Sequence, residues 1–237
     1  MHGAFVTGTG TGVGKSIVAA ALCAALRARG DTLLASKPLL SGLDDAPNAP
    51  WPHDHELLAL AAGGTPDEIA PASFGPAVSP HLAARLVGQH LAVDAIVAGI
   101  QARAAATASA QASGSEPTVV VEGAGGLLVP VNDDGATMAD LATALELPLI
   151  VAAHPGLGTI NHVLLTLEAA RSRGLRVAGV VLTPWPAQPS LIESDNRAFL
   201  TQAAGTPVVG LPAVAAPDRE LLAAAGQHAG LPALLES

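Results

Sequence analysis

The residues best suited to chemistry lie in a glycine-rich segment near the N-terminus, between two apolar runs. Its backbone N–H groups can turn inward around an anion, and the dipole of a following helix adds partial positive charge. Lys15 supplies a full charge, and the Ser16 hydroxyl is a ligand that Mg²⁺ accepts. The segment therefore predicts a nucleoside triphosphate site. Its predicted binding residues are Gly8, Thr9, Gly10, Thr11, Gly12, Val13, Gly14, Lys15, Ser16 and Ile17.

The glycine spacing separates this segment from two common nucleotide motifs. The strict phosphate-loop pattern G-x-x-x-x-G-K-[ST] needs a glycine where this chain has Thr9. The dinucleotide pattern G-x-G-x-x-G fails because Val13 and Lys15 stand where its last glycine belongs. A glycine-rich structural turn remains the alternative. The lysine and serine that end the segment favour triphosphate binding over it.

Lysine is rare in this chain, so the position of each lysine is informative. Lys15 and Lys37 are the only two among 11 basic residues, and each follows a predicted strand. A compact ammonium can follow a phosphoryl group during its transfer. We predict that Lys37 acts with Lys15 in that chemistry. The alternative is that Lys37 is a solvated surface residue beside Pro38.

A carboxylate follows another apolar run, at Glu122. Phosphate-loop proteins commonly place an acidic residue there to hold Mg²⁺, and a buried glutamate is costly without a cation nearby. We predict a Mg²⁺ site here, with a helix or turn cap as the alternative role of Glu122.

Four potential metal ligands stand in a row in His53-Asp54-His55-Glu56. Adjacent residues of a short segment point in different directions, and no second His or Cys group at ligand spacing completes a site. A solvated, acidic helix start is therefore favoured over a zinc-type site. Asp54 is a weaker candidate than Glu122 for binding Mg²⁺.

Short apolar runs alternate with helical patterns, and this order predicts the fold class. The predicted strands are residues 4–7, 32–36, 119–121, 149–153, 177–183 and 207–211. The predicted helices are residues 15–29, 138–145, 160–173, 194–203 and 219–228. Strands that are apolar throughout are buried on both faces. We predict one P-loop NTPase-like α/β domain over residues 1–237, with a doubly wound, mostly parallel sheet and helices on both faces.

Two segments are less regular. Residues 44–55 are rich in Pro, Asp and His and predict an exposed loop, and residues 102–117 predict a helix that frays into a flexible link.

Composition limits the partners. The net charge of −9 and the aromatic content of 2% argue against a nucleic-acid binder. Proline, glycine and polar residues interrupt the longest apolar stretch, residues 147–170, which argues against a membrane span. The single cysteine, Cys23, fits a reducing compartment, so we expect a cytoplasmic protein.

Five segments, taken together and in order, resemble the dethiobiotin synthetase family of biotin biosynthesis. They are residues 8–16, Lys37-Pro38-Leu39-Leu40-Ser41-Gly42, Ser79-Pro80-His81, Val121-Glu122-Gly123-Ala124-Gly125-Gly126 and Leu157-Gly158-Thr159-Ile160-Asn161-His162. The resemblance implies a Mg²⁺-dependent enzyme that converts 7,8-diaminopelargonate, CO₂ and ATP to dethiobiotin, ADP and phosphate through a phosphorylated carbamate.

The resemblance also implies a role for each matching residue. Mg²⁺ would lie among Ser16, Asp54 and Glu122, the transferred phosphoryl group between Lys15 and Lys37, and the carbamate against Thr11 and Ser41. The substrate carboxylate would lie at a helix start of a second subunit, which implies a homodimer. That helix start comprises Gly158, Thr159, Ile160 and Asn161.

Relatives that prefer ATP usually carry an asparagine after the strand that corresponds to residues 177–182. The residues expected beside the base here are Thr183, Pro184, Leu211 and Pro212. Threonine offers only a hydroxyl, and the proline and leucine side chains offer no polar atom, so none of them can read the base edge at two points as an asparagine amide does. We therefore expect that other nucleoside triphosphates can replace ATP.

Three other classes fit less well. ParA/MinD-type nucleotide switches place a lysine where this chain has Gly10, and the chain shows no basic surface or amphipathic tail. A corrinoid amidotransferase would need a glutaminase domain. A nicotinamide dehydrogenase fails on the glycine spacing.

Overall fold

The computed structural model describes residues 1–110 and 116–236, which contain eight strands arranged in two sheets. The strands are β1 (Gly3–Gly8), β2 (Leu33–Ser36), β3 (Leu39–Ser41), β4 (Ala72–Phe74), β5 (Thr118–Glu122), β6 (Leu149–Ala153), β7 (Val177–Trp185) and β8 (Val208–Pro212). The α-helices are α1 (Lys15–Ala28), α2 (Asp54–Ala62), α3 (Pro66–Ile69), α4 (Pro80–Leu86), α5 (Val93–Ala110), α6 (Met138–Leu145), α7 (Thr159–Arg171), α8 (Leu191–Ala203) and α9 (Arg219–His228). A 3₁₀ helix covers Leu231–Leu235.

The main sheet has the strand order β2-β5-β1-β6-β7-β8, and every neighbouring pair in it is parallel. All its carboxyl ends therefore lie at one edge. Val6 pairs with Glu122 and Ser36 with Val121, so the segments that follow β1, β2 and β5 emerge side by side. The predicted parallel sheet is confirmed, and its topology brings the loop after β1, Lys37 and Glu122 to the same edge.

Helices cover both faces of this sheet, as predicted. Strand β1 shows the division, because Phe5 packs into one apolar cluster whereas Ala4 and Val6 pack into the other. The cluster around Phe5 is covered mainly by α5, α6, α7 and α8, and the opposite cluster by α1, α2 and α9. None of the helices in the described ranges is long and apolar enough to cross a bilayer.

The structure departs from the predicted elements at short segments. Strands β3 and β4 form a separate two-stranded parallel sheet that was not predicted, because each has only three residues and no readable period. The predicted loop at residues 44–55 is wrong for its last two residues, since α2 begins at Asp54. Of the predicted fraying helix, residues 102–110 belong to α5, and residues 111–115 lie outside the described part of the chain.

Candidate active site

The glycine-rich loop links β1 to α1 at the carboxyl edge of the sheet. The Thr9 N–H donates to the Ala152 carbonyl (3.0 Å), which extends the pairing of β1 with β6 into the loop. The loop ends at Gly14, whose φ of 89° lies in the left-handed region. A Cβ atom at Gly14 would lie 2.6 Å from Cγ2 of Thr183. Glycine is therefore required there both by backbone conformation and by the close approach of β7.

Lys15 begins α1 and folds back over the loop. Its Nζ donates to the Gly10 carbonyl at 2.7 Å, and only 7% of the residue is exposed. Burial lowers the pKa of Lys15, since desolvation disfavours the charged form. An anion bound in the loop would supply a negative counter-charge for this buried ammonium.

A second buried ammonium lies between two carboxylates. Lys37 Nζ is 2.6 Å from Glu122 Oε1 and 2.7 Å from Asp54 Oδ2. Ser16 donates its hydroxyl to the same Glu122 oxygen at 2.8 Å. Glu122 is fully buried, whereas the Asp54 side chain is 45% exposed. Four residues that are far apart in sequence therefore form one charged cluster.

The pKa values of this cluster follow from burial and charge. Burial by itself lowers the pKa of Lys37, but the carboxylates of Glu122 and Asp54 outweigh it, so the pKa is raised. Burial raises the pKa of Glu122, partly offset by the Lys37 ammonium. The pKa of Asp54 is lowered, since the ammonium of Lys37 outweighs the desolvation of the carboxylate. The cluster keeps Lys37 protonated at neutral pH.

The oxygen atoms of this cluster suit a hard cation. Glu122 Oε2 is buried and has no hydrogen-bond partner in the described structure, although Oε1 has two. Buried polar atoms without partners are rare and call for an explanation. The Ser16 hydroxyl and the Asp54 carboxylate add two further oxygen ligands of the kind Mg²⁺ prefers. The donor set therefore fits Mg²⁺.

A cleft of about 960 Å³ opens over this cluster. Its walls include Thr11, Lys15, Ser16 and Ile17 of the glycine-rich segment, Lys37, Ser41, Asp54, and Thr183, Pro184 and Pro212 of the last strands. Ser41 donates to the Val78 carbonyl at 2.6 Å. The cleft thus brings together most of the residues predicted to bind nucleotide, Mg²⁺ and carbamate.

Some predicted residues lie elsewhere. Leu211 is fully buried in the core and does not line the cleft. Side chains alternate along β8, and it is the neighbouring Pro212 that lines the cleft. Gly8, Thr9 and Gly10 line a neighbouring cavity of about 470 Å³, which also touches Leu165 of α7.

The predicted carboxylate-binding segment does not line the cleft of its own chain. Gly158, Thr159, Ile160 and Asn161 form the start of α7 at the same edge of the sheet. Gly158 is left-handed (φ 91°), and the Thr159 hydroxyl is buried without a hydrogen-bond partner in the described structure.

The structure also decides two of the alternatives left open by the sequence. Lys37 is not a surface residue, since it is 4% exposed. Glu122 does not cap a helix or a turn, because its Oε1 accepts from the Lys37 and Ser16 side chains and its Oε2 has no hydrogen-bond partner in the described structure. Within residues 1–110 and 116–236, no group of three or more His, Cys, Asp or Glu side chains could hold a metal ion. His53 instead caps α2, and its N–H donates to Glu56 at 2.9 Å.

Comparison with known proteins adds an independent observation. A family model described as an AAA domain matches residues 2–216. The chain is 46% identical over 183 residues to the ATP-dependent dethiobiotin synthetase BioD of Anaeromyxobacter sp. (strain Fw109-5), covering 77% of this chain and 76% of that protein. It is 40% identical over 214 residues to the protein of the same name from Saccharopolyspora erythraea, covering 90% and 88%.

The chain belongs to the dethiobiotin synthetase family. The resemblance drawn from five short segments is therefore confirmed over most of the chain. Among solved structures, cobyrinic acid a,c-diamide synthase from Mycobacterium smegmatis, with bound ADP and magnesium, is 17% identical, with a TM-score of 0.49 and coverage of 96% of this chain and 93% of that one.

Sequence reasoning missed a buried polar residue beside the start of α7, Asn196 of α8. It is 7% exposed and donates to two carbonyls in the loop before α7. Its position four residues before the buried Leu200 puts both on the inner face of α8, and this spacing was the signal that could have marked it.

Proposed function

We propose that this chain is a Mg²⁺-dependent dethiobiotin synthetase. It would join CO₂ to 7,8-diaminopelargonate with ATP and close the ureido ring of dethiobiotin. The observation that carries the proposal is that Lys15, Ser16, Lys37 and Asp54 line one cleft, while the buried Glu122 contacts Lys37 and Ser16. Family membership supports the choice of substrates.

The charge arrangement suits the difficult step of this reaction. A carbamate and a triphosphate are both anions, so they approach each other only where cations offset their repulsion. Lys15 would hold the phosphates from the loop side, and Lys37 would face the γ-phosphoryl group from β2. Because Lys37 is already fixed by two carboxylates, little reorganisation is needed when charge shifts during transfer.

Glu122, Asp54 and the Ser16 hydroxyl would hold Mg²⁺. The ion would neutralise phosphate charge during transfer. Glu122 Oε1 is occupied by Lys37 and Ser16, so Oε2 is the free oxygen of this carboxylate. The cation would thus supply the partner that the buried oxygen lacks within the chain.

Thr11 and Ser41 line the same cleft as the two lysines and would orient the carbamate. Ser41 is held by the Val78 carbonyl, which uses its proton and leaves its oxygen free to accept a hydrogen bond. An amine or N–H of the substrate is a suitable donor to that oxygen.

The substrate carboxylate would lie at the start of α7 in a second subunit. Exposed apolar side chains near that helix support a homodimer, since Leu157 is 91% and Leu165 is 56% exposed. The start of α7 lies outside the cleft of its own chain, as expected of a segment that serves a partner's site.

Incubation with diaminopelargonate, ATP, Mg²⁺ and ¹³C-bicarbonate tests the proposal. Mass spectrometry should find dethiobiotin one mass unit heavier than the unlabelled product, with one ADP formed per molecule. Lys37→Met should abolish the product, and the matched control Arg173→Met, which removes an exposed cation of the α7–β7 turn, should retain it. ADP formation without labelled dethiobiotin would refute the proposal.

A further inference from the structure

The loop between β6 and α7 is held in place from one side by a single amide. Asn196 lies in the middle of α8, with both N–H groups of its carboxamide used. Nδ2 donates to the Pro155 carbonyl at 2.9 Å and to the Gly156 carbonyl at 3.0 Å. Two successive carbonyls are thus directed at α8.

The orientation of these carbonyls fixes the N–H groups of the same peptides. In a planar trans peptide, the C=O and the following N–H point in opposite directions. Because the Gly156 carbonyl faces α8, the N–H of Leu157 faces away from it. The left-handed Gly158 then leads into α7, where the N–H of the first helical residue, Thr159, donates back to the Gly156 carbonyl at 3.3 Å. The N–H groups of the next two residues have no partner in the preceding turn of the helix.

This side of the loop is rich in unused donors. The N–H groups of Leu157, Gly158, Ile160 and Asn161 form no hydrogen bond within the described residues, and the buried Thr159 hydroxyl has none either. Leu157, Gly158 and Asn161 are exposed, so the donors are open to a ligand. The N-terminal dipole of α7 adds partial positive charge.

We propose that Asn196 is a positioning residue for substrate: it holds the loop so that these donors converge on the carboxylate of the diamine. The inference rests on the proposed function and extends it to a residue that does not itself touch the substrate. Asn196 acts from the far side of the loop, through the Pro155 and Gly156 carbonyls. Leu200, one turn further along the same face, anchors α8 in the core.

If Asn196 positions the donors, its removal should weaken only the binding of substrates that carry a carboxylate. A general loss of stability would affect all substrates equally. The test compares diaminopelargonate with 2,3-diaminononane, in which a methyl group replaces the carboxylate. Asn196→Ala should lower kcat/KM for diaminopelargonate by about 10-fold, mainly through KM, because the donors lose their alignment. The value for the analogue and the KM for ATP should change by less than about 2-fold.

Substitutions at two other buried positions, Asn132 and Leu200, serve as controls. Asn132 is also a buried asparagine, donates to the Leu91 carbonyl and accepts from two N–H groups of its own turn. Asn132→Ala should lower Tm without changing the ratio between the two substrates. Leu200→Val should loosen α8 in the core, also without changing the ratio. Asn196→Ser, which keeps one donor, should lie between wild type and Asn196→Ala.

An equal loss with both substrates in the Asn196 variants, or a loss of selectivity in Asn132→Ala, would overturn the inference. Binding of pelargonate measured by calorimetry needs no turnover and so separates this inference from the proposed function. If the enzyme forms no dethiobiotin, weaker pelargonate binding by Asn196→Ala than by wild type would still support the role of Asn196. Equal binding by the two proteins would refute it.

Discussion

Two regions at the carboxyl edge of the sheet are suited to binding negative charge, and they are built in opposite ways. The cluster of Lys37, Glu122, Asp54 and Ser16, beside Lys15, uses charged and polar side chains, with the Lys37 ammonium between two carboxylates. The start of α7 has no acidic residue in its first turn and offers backbone N–H groups instead.

The difference teaches how each region can be altered. Side-chain charges can be removed one at a time, but removing one leaves its partner buried without compensation. Backbone donors remain after any substitution except proline. The start of α7 is therefore altered through the Asn161 side chain or through residues that shape the loop, such as Gly158 and Asn196. The charged cluster therefore couples activity to stability, whereas the loop before α7 allows substrate binding to change alone.

The largest expected effect is at Lys37. Lys37→Gln should lower kcat by on the order of 10²-fold or more, the scale of losing a preorganised charge. It should also lower the free energy of unfolding by about 3 kcal/mol, because the fully buried Glu122 carboxylate loses its cation. The sequence alone would have suggested near-normal stability. Steady-state kinetics and urea unfolding measure the two effects.

A double variant separates the effect on activity from the effect on stability. Lys37→Gln combined with Glu122→Gln removes both members of the buried ion pair, so it should be more stable than Lys37→Gln alone while remaining inactive. Additive losses of stability would mean that the two groups do not interact, which would contradict the 2.6 Å contact.

A smaller effect is expected at Asp54, which is half exposed. Asp54→Asn should raise the Mg²⁺ concentration for half-maximal activity by about 10-fold, since a hard cation loses an anionic ligand. Its effect on Tm should be slight, because water can solvate the amide. A Mg²⁺ titration of activity measures the shift, and Asp94→Asn on the exposed start of α5 is the control. A change only in the KM for diaminopelargonate would show that Asp54 does not serve the metal.

The smallest difference is expected between nucleotides. Pro184, Pro212, Ala213 and Val214 line the cleft, and their side chains cannot read a base by hydrogen bonds. ATP, GTP and CTP should therefore support turnover with kcat/KM values that differ by less than ~10²-fold. Parallel assays with the three nucleotides decide this, and strict dependence on ATP would show that another group reads adenine.

The sequence predicted what rests on periodicity and on residue type. The continuous apolar strands, the helix after Gly14 and the placement of Lys37 and Glu122 at strand ends all follow from local patterns, and the parallel sheet then brings them to one edge. The order of strands in that sheet was not predictable, because it depends on long-range packing.

What the sequence could not predict depends on single side-chain directions. Leu211 and Pro212 are adjacent, yet they face opposite sides of β8, and the sequence does not say which side faces the cleft. The role of Asn196 depends on a contact across 40 residues or more, with Gly156 and Pro155. No local pattern predicts such a contact.

The claim that the two charge-binding regions form one active site is tested most directly by mixing two inactive variants. Lys15→Ala disables the cleft, and Asn161→Ala disables the start of α7. If each site combines the cleft of one subunit with α7 of the other, the mixed dimer holds one fully native site. Random exchange of equal amounts should then restore about a quarter of wild-type activity.

Native mass spectrometry of the mixture measures the fraction of mixed dimers. Recovery of activity in proportion to that fraction is the predicted result. No recovery, with mixed dimers shown to be present, would contradict a site shared between the charged cleft and the start of α7.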